Sequence, residues 1–367
     1  MPTRYRGRSR CPHPPVESLL IGNFGRVSER TRSEHAGAMH PCRTVFMRAI
    51  RIDNTGGPEV MNVVDIPIPT PGPGQLLVRI DAIGINYIDT YFRRGLYPRA
   101  LPYVPGDEGS GVIEQVGADV TEFAPGHRVA WAAAPGSYAE HVLVDASSAI
   151  AVPEGVPADQ AASALLQGMT AHYLIESTYP AQRGDTVLVH AGAGGVGLLL
   201  TQMAVAKGVN VITTVSTDAK AERSTQAGAA HVVRYEEDIA ARVREITDGE
   251  GVHAVYDGVG ADTFEASLAS LRIRGTLALF GAASGPVPPM DPQRLNGAGS
   301  LFLTRPTLAH HIRDRAELEW RAGDVFDAMS SGALTVEIGA RYALEDAATA
   351  HTDLESRRTT GSIVLVP

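Results

Sequence analysis

A chain of 367 residues, 44% hydrophobic and 20% charged, is long enough for two folded domains and contains no apolar run of bilayer-spanning length. Its net charge of −9 is unevenly spread: residues 1–46 hold eight Arg against three Glu, +5, so the rest carries −14, which argues against nucleic acid as the main ligand. Cys11 and Cys42 are the only cysteines, which excludes a disulfide framework or a thiolate-ligated zinc from residue 43 onward.

Residues 1–46 are rich in Arg, Ser, Pro and His and lack apolar periodicity. They read as a disordered extension, or as a start assigned ahead of a true start at Met47. An Arg-rich targeting segment is the alternative, weakened by the prolines and glutamates. With no secretory apolar region, the chain reads as cytoplasmic. From Met47 to about residue 153 short strands alternate with Gly/Pro turns, at 48–53, 76–83, 111–116, 128–132, 139–144 and 149–152, which predicts a small β-barrel or sandwich. A helix is expected over 157–177. Strands at 187–190, 209–215, 231–233, 254–256 and 276–280 then alternate with helices at 195–207, from 218, at 236–247 and at 262–271, the pattern of a parallel, doubly wound α/β sheet. The tail predicts helices at 315–330 and 345–354 and strands at 336–342 and 362–366.

The segment VLVHAGAGGVG over 187–197 runs from a strand through a glycine cluster into a helix, with Gly192, Gly194 and Gly197 fitting G-x-G-x-x-G. Gly192 permits the sharp reversal, Gly194 lets a pyrophosphate approach the backbone, and Gly197 lets helix and sheet pack closely. The helix N-terminus at Gly195 and Val196 aims its N–H groups at the phosphates. The following strand ends at Ser216, where NAD-specific turns carry a carboxylate for the ribose 2′-hydroxyl. Lys220 stands four residues further on, one of two lysines in the chain, and supplies either a point charge for a 2′-phosphate or a solvated surface cation. NADPH is therefore expected over NADH. His190 tempts as a proton donor but reads better as a satisfied core histidine, and His127, His141 and His172 show no metal spacing.

The order of a β-rich segment, a dinucleotide-binding segment and a returning C-terminus resembles the medium-chain dehydrogenase/reductase superfamily over 47–367. Within it, GGPEVM (56–61), AIGINYIDTYFRRGLYP (82–98), PGDEGSGVIEQVG (105–117), AGAGGVG (191–197), VYDGVG (255–260) and TRP (304–306) resemble the zinc-independent, zeta-crystallin-like NADPH:quinone oxidoreductases. The resemblance implies a GroES-like β-rich substrate domain over 47–167 plus 307–367 and a Rossmann domain over 168–306. The zinc-dependent branch has Cys where Asn86 stands, His where Asp107 stands, and a third ligand near Leu166–Gln167, so no catalytic metal is expected; Asp107 and Glu108 alone do not supply a zinc site.

The resemblance also adds Tyr235 and Arg357 around the 2′-phosphate. It places Thr170, Gly258–Gly260 and Phe280–Gly281 near the nicotinamide. Asn86 is expected to bond either a substrate oxygen or the nicotinamide ribose. Tyr91 and Tyr97 either stack on a planar substrate and donate a hydrogen bond or serve as packing. Asp89 reads as structural. Arg305 either faces the cleft or makes a surface ion pair, and 301–305 resembles the dimer-edge strand, hence an expected homodimer. Without a metal to polarise a carbonyl, the acceptor must take hydride readily. Quinones do so, and alkenals and enones are the second option. A non-catalytic, crystallin-like NADPH-binding protein is the rival from another class.

Overall fold

Alternating apolar residues set the first pairing. The computed structural model describes residues 44–367, and the extension expected before them lies outside the described residues up to 43. Strand β1 (Phe46–Ile52) begins one residue ahead of Met47 and pairs antiparallel with β2 (Met61–Pro67), Ile50 opposite Val63. Strand β3 (Gln75–Ile85), helix α1 (Tyr87–Arg94), β4 (Glu108–Val116), β5 (Arg128–Trp131), β6 (His141–Asp145) and β7 (Ile150–Ala151) follow. Helix α2 (Ala158–Tyr173) leads into β8 (Thr186–Val189), α3 (Gly195–Ala206), β9 (Asn210–Val215), α4 (Asp218–Gln226), β10 (His231–Arg234) and α5 (Ile239–Ile246). Then come β11 (Val252–Asp257), α6 (Phe264–Ser270), β12 (Leu271–Leu279), α7 (Gln293–Gly297) and β13 (Phe302–Thr304). The chain closes with α8 (Leu308–His311), α9 (Arg315–Ser330), β14 (Ile338–Ala343), α10 (Ala347–Glu355) and β15 (Ser362–Val366).

Two sheets organise these elements. The six-stranded sheet runs β10-β9-β8-β11-β12-β13 with every pairing parallel. Its order reverses between β8 and β11, and in doubly wound sheets ligands bind in the crevice at the carboxyl ends of the strands flanking that reversal. The seven-stranded sheet follows β14-β15-β3-β4-β5-β7, with β6 also on β3. The last strand returns to it, β15 lying antiparallel to β3 with Ile363 opposite Ile85. Its core gathers Ile50, Leu76, Val78, Ile83, Val129, Trp131 and Tyr138.

Helix α2 is the strut between the sheets. It packs on β3 and β4 on one side and on α3 and α9 on the other. Its small residues allow this: a Cβ on Gly84 of β3 would stand 2.2 Å from the Ala162 carbonyl.

Four elements go beyond the sequence expectation. Strand β2 has mostly exposed or half-buried side chains, so its apolar pattern is weak. Helices α1, α7 and α8 are two turns or shorter, too brief for periodicity to mark. Helix α1 is held by its ends instead: the Asn86 N–H donates to Asp89 Oδ2 at 2.9 Å, and Gly95 closes it at φ 76°.

A polar seam joins α1 to α10. The fully buried Arg93 donates to Glu355 Oε2 at 2.6 Å, to His351 Nδ1 at 3.1 Å and to the Gly56 carbonyl at 3.3 Å. Because Arg93 can only donate, His351 carries its proton on Nε2 and donates to Tyr138 Oη at 3.0 Å, which donates to Asp89 Oδ2 at 3.0 Å. Burial, then the Arg93 charge, lowers the His351 pKa to about 3, so the ring stays neutral. Breaking one partner of a buried ion pair costs about 3–5 kcal/mol. Arg93→Met is accordingly expected to lower the unfolding free energy by that amount in urea titrations. A loss below about 1 kcal/mol contradicts the seam's role.

Candidate active site

The glycine turn opens at the carboxyl end of β8. Ala191, not Gly192, adopts the left-handed conformation (φ 52°), a correction to the expected place of the reversal. Gly192 is needed for space: its Cβ would lie 2.5 Å from Thr213 Cβ. A Cβ on Gly197 would lie 2.3 Å from the Ala191 carbonyl. One on Gly194 would meet only that carbonyl, at 3.3 Å, so the backbone there stays open to a ligand. By helix geometry the first N–H groups of α3, those of Gly195, Val196 and Gly197, have no intrahelical acceptor. The C-terminal segment docks on this turn, the Gly361 N–H donating to the Ala193 carbonyl at 3.0 Å.

Cations gather beside it. Lys220 Nζ donates to the Arg357 carbonyl at 2.6 Å. Burial, then the Arg357 charge, pushes the Lys220 pKa down. The Arg357 guanidinium lies 3.5 Å from Asp262, and Tyr235 Oη accepts the Ala191 N–H at 2.9 Å. At Ser216 the carbonyl accepts from Arg234 at 2.8 Å. Asp218 and Glu236 are both ion-paired to the same arginine.

The facing lip follows β11. Asp257 is buried and accepts from the Val259 and Gly260 N–H groups (2.8 and 3.0 Å), from Thr263 Oγ1 (2.8 Å) and from Ser267 Oγ (2.7 Å). His190 lies between Thr214 Oγ1 (2.8 Å) and Ser267 Oγ (2.9 Å), and burial lowers its pKa, so it is a satisfied core histidine. Gly258 and Gly281 are in backbone contact: a Cβ on Gly281 would stand 2.3 Å from the Gly258 carbonyl. Gly260 takes φ 95°.

Between the two sheets lies a cleft of about 840 Å³. Helix α1 and the loop after it give it an aromatic wall. Tyr91 is 5.6 Å from Tyr87, and Tyr97 is edge-on to Tyr91 at 5.3 Å and to Phe92 at 5.8 Å. Tyr91 Oη accepts the Ala282 N–H at 2.8 Å and Tyr87 Oη donates to the Ala283 carbonyl at 3.0 Å, which ties the wall to the loop after β12. Burial raises Tyr91 to about 12, so it acts as a hydrogen-bond donor and not as an acid near neutrality. Arg305 donates to Tyr97 Oη at 3.1 Å. Arg99 lies over the Phe92 ring at 3.8 Å and grips both Asp107 oxygens at 3.0–3.1 Å. Thr170 donates to the Leu166 carbonyl at 2.6 Å.

Behind this wall Asn86 Nδ2 donates to Glu108 Oε2 at 2.6 Å and Asn86 Oδ1 accepts from Gln167 at 3.1 Å. Burial raises Glu108 to about 8. Burial, then the Asp107 charge, raises Asp89 to about 7.

Known proteins match this arrangement from end to end. Residues 72–154 match the alcohol dehydrogenase GroES-like domain family, and residues 195–322 match the zinc-binding dehydrogenase family. A quinone oxidoreductase of Pseudomonas aeruginosa is 46% identical over 85% of this chain and 97% of its own length. The chain belongs to the quinone oxidoreductase family of medium-chain dehydrogenases/reductases. A 2-haloacrylate reductase of Burkholderia, of the same kinship, is 41% identical over 88% of this chain and 99% of its own. Among solved structures, a mycobacterial protein in complex with NADPH superposes with a TM-score of 0.86 at 59% identity, over 88% of this chain and all of that one. The Escherichia coli quinone oxidoreductase in complex with NADPH gives 0.86 at 41% identity, over 87% of this chain and all of that one.

On this family framework, Asn86, Tyr91, Tyr97, Thr170, Val196, Gly258, Phe280, Gly281 and Arg305 line the one cleft. Ser216, Lys220, Tyr235 and Arg357 lie apart from it, around the glycine turn. Arg305 faces the cleft. Asp257, Glu108, Gln167 and Arg99 were not singled out as site residues from the sequence. Asp257 sits inside the VYDGVG motif, and Glu108 follows the glycine-flanked Asp107, so a signal existed for both. Gln167 carried only its place near the position where the zinc-dependent branch has a third ligand.

Asp89 has a folded pKa above its unfolded one, so its protonated form stabilises the fold and that contribution is lost as pH rises through about 7. The Asn86 N–H, Tyr138, Asp107 and, through Asp107, Arg99 are the polar neighbours. The unfolding free energy should therefore fall between about pH 4 and pH 7 on account of Asp89, with Glu108 adding a parallel fall up to about pH 8, and Asp89→Asn should remove the Asp89 share of that slope. A wild-type slope retained in the variant excludes Asp89 as its source.

Proposed function

We propose that this protein is an NADPH-dependent, metal-independent quinone reductase of the cytoplasm. The observation that carries the reading is that a single cleft is walled on one side by the start of α3 and the Gly258–Gly281 lip and on the other by Tyr91 and Tyr97. A flat acceptor fits against tyrosine rings, whose edges also offer hydroxyl groups.

The residues around the glycine turn fit the cofactor. The open backbone at Gly194 and the N–H groups of α3 suit a pyrophosphate. Lys220, Arg357 and Tyr235 suit a 2′-phosphate, and Arg234 offsets the carboxylates of Asp218 and Glu236 beside Ser216. NADPH supplies a hydride when bound. The chain orients the acceptor, excludes water from the cleft and leaves the reduced oxygens to take their proton from solvent. The balance is one NADPH, one quinone and one proton giving NADP⁺ and a hydroquinone.

Zinc does not fit the donor set. Asn86 has its amide committed to Glu108 and Gln167, Asp107 is held by Arg99, and Leu166 is apolar. Tetrahedral zinc needs three or four thiolate, imidazole or carboxylate ligands. The homodimer belongs to the same reading. Strand β13 pairs with β12 along one edge only and ends the sheet, its Phe302 and Leu303 being 61 and 36% exposed and Ile273 on the neighbouring β12 74% exposed. An open apolar edge strand of this kind suits pairing with a second copy.

Reduction of a conjugated carbon–carbon double bond is the second reading, favoured by the similarity to the 2-haloacrylate reductase. Initial rates with 1,4-benzoquinone, phenanthrenequinone, crotonaldehyde and 2-chloroacrylate under one condition decide between them, with quinones expected fastest and EDTA without effect. Lys220→Ala should lower kcat/KM for NADPH about tenfold while leaving NADH unchanged. NADPH binding without turnover of any acceptor would instead make this a non-catalytic binding protein.

A further inference from the structure

The Asn86 side chain is one member of a buried chain of hydrogen bonds that runs behind the cleft. Ser362 Oγ donates to Gln167 Oε1 at 2.7 Å, and Gln167 Nε2 donates to Asn86 Oδ1 at 3.1 Å. Asn86 Nδ2 then donates to Glu108 Oε2 at 2.6 Å, and Glu108 Oε1 accepts the Leu166 N–H at 2.7 Å. All four side chains are buried. The chain is also sterically enclosed: a Cβ on Gly195 would stand 1.8 Å from Gln167 Oε1, and one on Gly84 would stand 2.5 Å from Glu108 Oε2.

Burial holds Glu108 up at about 8, so it is above that pH, where the carboxylate is ionised, that Glu108 gives the chain a direction. The Leu166 N–H can only donate, and an ionised Glu108 can only accept. Asn86 must therefore turn its nitrogen toward Glu108 and its oxygen toward Gln167, which in turn directs its nitrogen at Asn86. An amide carries two N–H donors, so this arrangement leaves one N–H of Asn86 without a partner among the described residues, on a residue that lines the cleft.

We propose that Glu108 and Gln167 are positioning residues that lock the Asn86 amide so that its remaining N–H binds the acceptor oxygen where negative charge builds during reduction. The inference rests on the quinone reductase reading. The lock does the work a Lewis acid would do, with a fixed dipole in place of a metal. A preorganised donor of this kind is worth about 10²–10³ in rate, and only if it does not have to reorient during the reaction. Glu108→Gln tests the direction of the lock. Its new amide must keep oxygen on the Leu166 N–H, so it faces Asn86 with nitrogen and turns the Asn86 amide over.

The experiment is a double-mutant cycle at about pH 8.5, where Glu108 is ionised to a larger extent than at neutrality. Glu108→Gln and Gln167→Met are each made alone and with Asn86→Ala, and NADPH affinity and melting temperature are measured for every variant. Asn86→Ala is expected to lower kcat about 100-fold. Glu108→Gln and Gln167→Met are each expected to lower it about tenfold or more, with NADPH affinity within about twofold of wild type. Neither should cause a further loss once Asn86 is alanine. Should Glu108→Gln fail to fold, Gln167→Met closes the cycle alone. Losses that persist undiminished in the Asn86→Ala background, or no loss in either background, overturn the proposal. A wild-type protein that oxidises NADPH with none of the acceptors overturns the quinone reductase reading itself, and the lock with it.

Discussion

The close approach of helix α2 to strand β3 is the constraint from which the site follows. Gly84 and Ala162 meet at backbone distance, which places the next turns of α2 against the first sheet and its far end against α3. Leu166, Gln167, Thr170 and Tyr173 then fall, turn by turn, along the cleft or just behind it. A side chain at position 84 would push the helix away from the sheet. The damage would reach the Leu166 N–H that holds Glu108, the Gln167 amide and the Thr170 hydroxyl together. Packing in interiors of this density transmits such shifts instead of absorbing them. The geometry of the α2 side of the cleft is therefore set by a contact between two small residues that do not line it.

Charge is distributed to match. An acidic chain concentrates Lys220, Arg357 and Arg234 beside the glycine turn, where a phosphate-bearing cofactor needs them. Asp257, next to the same turn, is a buried carboxylate without an ion-pair partner among the described residues, and four donors satisfy it. Its effect is to fold the Val259–Gly260 loop back on itself and to fix Ser267, which fixes His190. A residue that looked like a proton donor in the sequence is thus a brace for the turn.

Much of this was legible from residue patterns. Strand–helix alternation after residue 186 and the spacing of Gly192, Gly194 and Gly197 are strong local signals, because a parallel sheet and a phosphate-binding turn both impose periodicity on nearby residues. Strand β2 and helix α1 were hidden. An exposed edge strand needs little apolar alternation, and an eight-residue helix held by caps and a buried ion pair needs little intrinsic propensity. The turn itself was assigned to Gly192, whereas Ala191 takes the left-handed conformation and Gly192 merely clears Thr213. Steric need and conformational need both select glycine, and only coordinates separate them. Gln167 was illegible for a different reason. Its partners Asn86 and Ser362 lie 81 and 195 residues away in the chain, so no local pattern can announce it.

On the proposed reading, hydride chemistry without a metal places an unusual demand on the residues behind the cleft. A metal ion polarises an oxygen wherever the oxygen binds, because its field is strong and nearly isotropic. An amide N–H does so along one direction, so its value depends on how firmly that direction is held. This accounts for the contrast between the two sides of the cleft. On the aromatic side, tyrosine rings and arginine side chains at the mouth can adapt to acceptors of different outline. Behind Asn86 each contact is a buried hydrogen bond with a defined donor, braced by glycines that leave no room for movement. Tyr87 and Tyr91 tie the adaptable wall to the loop after β12 through two backbone bonds, so the acceptor's position and the cofactor lip are set by the same short helix. Breadth toward the acceptor and rigidity at the reacting oxygen thus reside in neighbouring residues of one segment, from Asn86 to Tyr97.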